Sequence, residues 1–246
     1  MKYLLFLLLL PIISTAETIT VALYENHDNY LKHSRSYKVN WALFKLAAEK
    51  EGFTLKAESY LWLRSLNAIK SNTVDAVIGA HYAHERNKIG KFSQPFAIDK
   101  IYLFTTQQHT LSLAQTISKN ALVGVTTSAI GDSLASQLGF VNVYRNSSSE
   151  KVFELLMNGK FDYAIFSESV ASRHCQIPIK NKPNNPCLKP VQPALDINSI
   201  HTIYSKKASS KNFPARIDEA TEQLIVAGEA EPIFLSSGYT LAEYKT

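Results

Sequence analysis

Two segments of this 246-residue chain follow one plan. Residues 67–78, NAIKSNTVDAVI, and residues 155–166, LLMNGKFDYAIF, each run from the end of a helix pattern through a short polar turn to a hydrophobic residue, an aspartate and an apolar strand. Strands that alternate with helical patterns in this way build α/β units. The rest of the chain keeps the alternation. Thr18–Tyr24 reads as a first strand, and Trp41, Leu43, Phe44, Leu46, Ala47 and Ala48 give helical spacing within Val39–Gly52, where Gly52 is the stop signal. Phe53–Tyr60 is strand-like, and Trp62, Leu63, Leu66 and Ile69 form the apolar stripe of a short helix before the strand Val74–Gly79. Ile98–Thr106 and Ala121–Val125 are further strands, and Ser128 is placed to N-cap a helix from Ala129 to Leu138. Val141–Tyr144 is a strand, Ser149 caps a helix over Glu150–Asn158, Ile197–Tyr204 is the return strand, and Phe213–Gly228 is a helix with Ile217, Ala220, Leu224 and Ile225 inward.

Residues 1–16, MKYLLFLLLLPIISTA, have the charged start, apolar run and small-residue end of a secretory signal. No cysteine follows the cleavage site, so the expected mature chain starts at Glu17 and is soluble and periplasmic, without a lipid anchor. Its net charge is modest and it has no basic cluster, which gives no reason to invoke nucleic acid. Export makes Cys175 and Cys187 informative: they flank a proline-broken segment, and a disulfide between them is expected. Closing that loop contributes about 3 kcal/mol. A metal site on His174, Cys175 and Cys187 lacks a convincing fourth ligand, so no metal is expected, and no motif calls for a cofactor.

The stretch from Tyr60 to Phe96 adds a functional signal. Trp62, Leu66 and Ile69 precede Asp75-Ala76; Gly79 to Arg86 and then Phe92-Ser93-Gln94-Pro95-Phe96 follow at fixed spacing. This order resembles the bacterial extracellular solute-binding proteins of family 3, the periplasmic polar-amino-acid-binding type of ABC transporters, which read W-x-x-L-x-x-L-x-x-G-x-x-D-A, G-M-T-I-T-P-E-R and F-S-D-P-Y. The resemblance runs over nearly the whole mature chain and ends at Gly238-Tyr239. It implies a type II two-lobed fold: residues 17–105 and 199–246 form the first lobe, residues 106–198 the inserted second, and two extended crossovers the hinge. It implies that Arg86 grips a ligand carboxylate, because a guanidinium matches a carboxylate bidentately. It also places Gly79, His81, Tyr24, Trp62 and Arg64 on the first lobe's side of the cleft, and Ser128, Ala129, Ser167 and Glu168 on the second.

The pattern departs from amino-acid binders where they hold the ligand's ammonium. His81 and Ala83 replace two threonines, and Ser167 stands where those proteins carry an aspartate. Glu168 is adjacent, although neighbours on a strand face opposite ways. The expected ligand is therefore a small carboxylate-bearing solute, amino-acid-like but not a standard L-α-amino acid. The expected partner is a membrane permease or receptor, and the expected state a monomer. Two alternatives use the same fold: a cyclohexadienyl dehydratase-like enzyme with Glu85, Glu168 or His81 as acid, and a ligand sensor for a membrane receptor. A non-enzymatic binding role is the expectation.

Overall fold

In the computed structural model the described residues are 17–106, 117–175, 188–209 and 211–240. The signal segment, the side chain of Cys175 and all of Cys187 lie outside them, and so does the expected disulfide.

In chain order the elements are β1 (Thr18–Tyr24), α1 (His27–His33), α2 (Arg35–Lys50), β2 (Thr54–Tyr60), α3 (Trp62–Lys70), β3 (Ala76–His81), β4 (Gly90–Phe92) and β5 (Ala97–Thr105). Then come β6 (Leu122–Thr126), α4 (Ile130–Gln137), β7 (Asn142–Asn146), α5 (Ser149–Met157), β8 (Tyr163–Ser167) and α6 (Glu168–Cys175). The chain returns through β9 (Lys189–Ser205), α7 (Lys206–Ser209), α8 (Phe213–Val226) and α9 (Glu231–Ser237).

The strands follow one another in the order β2-β1-β3-β9-β5-β8-β6-β7, with β4 paired to β9. β1 lies parallel between β2 and β3, and β6 lies parallel between β7 and β8, so each half has its first strand in the middle. This is the spatial form of the repeated helix–turn–strand plan: parallel neighbours need a crossover, and a helix supplies it. The two antiparallel strands β5 and β9 join the halves. The hydrophobic cores respect the division. Two clusters draw on Ile19–Ala97 and Ile200–Tyr239, and two on Ile101–Val191. The architecture is two α/β lobes, the second inserted between β5 and β9. Among the described residues no helix is long and apolar enough to cross a membrane.

Local chemistry explains where the elements differ from expectation. The helix expected from Val39 begins at Arg35, because the Ser34 hydroxyl accepts the Tyr37 N–H and opens the helix a turn earlier. α5 is capped by Ser148, which accepts from the Lys151 N–H, and not by Ser149. α1 and α9 were not anticipated; α9 has proline in its first turn and ends on Gly238 in the left-handed conformation. β9 starts at Lys189, well before the expected Ile197. It carries Pro190 and Pro193; its register against β5 jumps from Asp196 to Val191, so Pro193, which has no N–H to donate, sits in a bulge where the ladder is interrupted.

Candidate functional site

The carboxyl ends of the parallel strands from both halves face one cleft, the usual position for ligands in open α/β sheets. Tyr24 ends β1, Tyr60 ends β2 and His81 ends β3; opposite them, Thr126 ends β6 and Ser167 ends β8, and all five line the cleft. It encloses about 650 Å³ of atom-free space, part of it open to solvent.

Arg86 stands on a 3-10 turn (His84–Lys88) just after β3 and is 4% exposed. Its Nη1 donates to the His81 carbonyl at 2.6 Å, and its Nη2 donates to the Ser128 carbonyl of the other half at 2.9 Å. Trp62 lies 5.0 Å beneath the guanidinium and sends its own Nε1 to the same Ser128 oxygen at 2.9 Å. Burial pushes the Arg86 pKa below its ordinary value, against the pull of Tyr24 and Glu85. Among the described residues no carboxylate pairs with Arg86; Glu85 is exposed and takes a hydrogen bond from Ser133 at 3.0 Å.

The wall of the first half is aromatic. Tyr24 stacks on Tyr37 at 4.8 Å and meets Tyr30 and Trp62 edge-on at 4.7 and 5.8 Å. Burial raises the Tyr24 pKa well above its ordinary value, which keeps the phenol neutral and able to donate to the Gly79 carbonyl. Gly79 has φ +82°, and its N–H donates to the buried Asn40 at 2.7 Å. A Cβ there would lie 2.7 Å from the Tyr37 ring, so glycine is needed for both conformation and space. In the second half Gly131 plays a related part: a Cβ on it would meet the Ile165 carbonyl at 2.6 Å, so α4 sits close against β8.

Of the residues singled out from sequence, the fold brings Tyr24, Trp62, His81, Arg86, Ala129 and Ser167 to the cleft lining. Gly79 lies behind it, with both backbone polar groups engaged. Ser128 is not the N-cap of α4: it adopts φ +59°, and Ala129 takes the cap position. The Ser128 N–H is held by Asp132 at 3.0 Å, so a side-chain anion already occupies the α4 start, and its carbonyl serves Arg86 and Trp62. Arg64 is exposed, with its guanidinium 5.1 Å over the Tyr60 ring and outside the cleft. Glu168 is exposed at the start of α6 and does not line the cleft either.

Three charged residues at or near the cleft were not found from sequence. Glu25 lines it, with a pKa raised by burial and by Glu150 and drawn back by Arg173. Arg173, fully buried, donates to Glu150 at 3.0 Å and to Ser149 at 3.3 Å, and lies 4.5 Å over the Tyr30 ring. Asp99, on β5, is buried 3.4 Å from His81. A charge inside the apolar run around Ile98–Phe104 was a usable signal for Asp99; Glu25 opens the stretch Glu25–Tyr30, which the family resemblance puts at the mouth of the cleft, and nothing local marked Arg173. Among the described residues no group of three or more His, Cys, Asp or Glu is arranged to hold a metal ion.

No protein-family model matches the chain, and no curated protein matches it in sequence. Solved structures do. A histidine kinase sensor domain with similarity to periplasmic binding proteins aligns with TM-score 0.74 at 19% identity, covering 90% of this chain and 96% of that one. The arginine-, lysine-, histidine-binding protein ArtJ from Geobacillus stearothermophilus aligns with TM-score 0.71 at 18% identity, over 89% and 94% of the two chains. Holo ArgBP from T. maritima gives 0.68 at 16%, over 85% and 90%. The chain therefore has the two-lobed fold of the periplasmic amino-acid-binding proteins.

Proposed function

We propose that this chain is a periplasmic solute-binding protein that closes its two lobes around a small carboxylate-bearing molecule and presents it to a membrane permease. One observation carries the reading: Arg86 is a desolvated guanidinium at the cleft, with no carboxylate partner among the described residues. A buried charge of this kind is costly until an anion meets it. Two of its five donors are spent on carbonyls, which fix the fork and leave donors for a ligand. The Ser128 contact links the halves, so a ligand that engages both biases the lobes toward closure. The ligand is amino-acid-like but not a standard L-α-amino acid, since Ser167 puts no charge at the second-lobe position where amino-acid binders hold the α-ammonium.

The protein acts as a monomer and binds without catalysis; the solved structures it resembles are binding proteins and a sensor domain. The sensor likeness favours one second reading, in which the closed lobes signal to a membrane receptor. The test is a thermal-shift screen of the mature chain against amino acids, small organic acids and aromatic acids. A ligand at a hundred times its Kd stabilises by about 2.7 kcal/mol, readily seen as a raised Tm. Stabilisation by standard L-α-amino acids, or by none of the panel, or slow turnover of a panel member, would overturn the proposal.

A further inference from the structure

Behind the cleft lies a small recess, about 210 Å³ of atom-free space with part of it open to solvent, that shares Tyr24, His81, Ser167 and Val170 with it and adds Asp99. Asp99 is 4% exposed and His81 8%. Asp99 Oδ1 accepts the backbone N–H groups of Lys100 and Ser169, at 3.0 and 3.3 Å, and so ties the joining strand β5 to the start of α6. Among the described residues its other oxygen, Oδ2, has no hydrogen-bond partner, and neither has His81 Nε2, which faces it at 3.4 Å. Two buried polar atoms without partners, side by side in one cavity, call for a shared one.

We infer that Asp99 and His81 form a cation subsite that receives the amine of the ligand, so that the bound molecule is a zwitterion held by Arg86 at one end and by Asp99 at the other. With its proton on Nδ1, His81 presents Nε2 as an acceptor, and a carboxylate accepts only. Acceptors 3.4 Å apart leave a position about 2.8 Å from both, which is normal hydrogen-bonding distance for a primary ammonium with its three donors. The Ser167 hydroxyl lines the same cavity. The counter-charge missing from Ser167 in the second lobe is thus supplied by the strand that joins the lobes. Only the Arg86 half of the zwitterion rests on the proposed function; the amine half stands on the cavity and its two orphaned atoms.

Two measurements test it on the full mature chain, wild type and Asp99→Asn; the amide oxygen of Asn still accepts from Ser169, so the docking of α6 is kept. First, calorimetry compares glycine with acetate, β-alanine with propionate, and 4-aminobutyrate with butyrate. At least one amine-bearing member binds about tenfold or more tightly than its counterpart in wild type, and Asp99→Asn brings that ratio towards one while acetate, propionate and butyrate are unaffected. Equal binding within every pair, or a ratio that survives in Asp99→Asn, overturns the subsite. Second, the ring nitrogens of His81 are followed by NMR during titration with ethylammonium chloride against a sodium chloride control. A saturable shift in wild type that is absent in Asp99→Asn is expected. If no pair member binds, this arm decides alone: the shift upholds the subsite while the carboxylate reading falls, and its absence shows that His81 and Asp99 satisfy only each other. Should Asp99→Asn fail to fold, His81→Phe, which removes the Nε2 acceptor and leaves Asp99 in place, carries the calorimetric comparison.

Discussion

Replacing Arg86 separates binding from folding. Arg86→Ala removes the guanidinium that donates to the His81 and Ser128 carbonyls and stacks on Trp62. If a ligand carboxylate pairs with it, truncation leaves that anion buried and unpaired, which costs about 3–5 kcal/mol. That is a loss of about a hundred- to a few thousand-fold in affinity. Without ligand the ledger differs. Two charge-assisted hydrogen bonds and a cation–π contact go, but so does the cost of burying an unpaired charge, and the free protein changes by only about 1 kcal/mol. Arg86→Lys keeps the charge and loses the fork, so it recovers a minor part of the affinity. The assay is calorimetric titration of both variants with the tightest-binding carboxylate from the thermal-shift panel, beside urea unfolding of the free proteins. Wild-type affinity in Arg86→Ala would refute the role assigned to Arg86. Parallel loss of binding and several kcal/mol of stability would show that Arg86 is a structural link between the lobes.

Further predictions concern the scaffold. Gly79→Ala forces a left-handed residue and a contact 2.7 Å from the Tyr37 ring, so it destabilises by about 2–5 kcal/mol in urea unfolding. A loss below about 1 kcal/mol would mean that β3 relaxes freely. Burial raises the Asp218 pKa from its ordinary 3.8 to about 6, against the pull of its hydrogen bond from Tyr204. The folded state therefore holds its proton more tightly than the unfolded one. That contribution is fully present below pH 3.8 and is lost as pH rises through about 6. Asp218→Asn accordingly stabilises by about 1–3 kcal/mol at pH 8 and by nothing at pH 3.5; a gain independent of pH would contradict this account. Thiol titration of the unfolded, unreduced mature protein should find no free cysteine. Reduction should lower stability by about 3 kcal/mol without changing the preferred ligand.

What was legible in the sequence was local. Strands β1 and β2, helix α3 and the repeated helix–turn–strand unit follow from periodicity and turn residues, which act over a few neighbouring positions. The family resemblance over Gly79 to Arg86 implied a cleft position for Arg86, and it carries over to this chain because strand and turn are contiguous there. Errors arose where one bond between near neighbours moved an element end, as Ser34, Ser148 and Asp132 did, or where a bulge let a strand carry proline, as in β9. Arg64 and Glu168 belong to helices whose faces turn them to solvent, a rotation that packing decides.

The amino-acid order by itself determined the α/β alternation, its duplication and the arginine after β3. Only the tertiary structure decided that β5 and β9 would be shared by both lobes, that the Ser128 carbonyl would reach Arg86 from the opposite half, and that Asp99 would meet His81. The physical reason is reach. Periodicity and capping are set by bonds between residues a few positions apart, whereas Asp99 joins His81 through strands paired across the sheet, and Ser128 reaches Arg86 across the cleft.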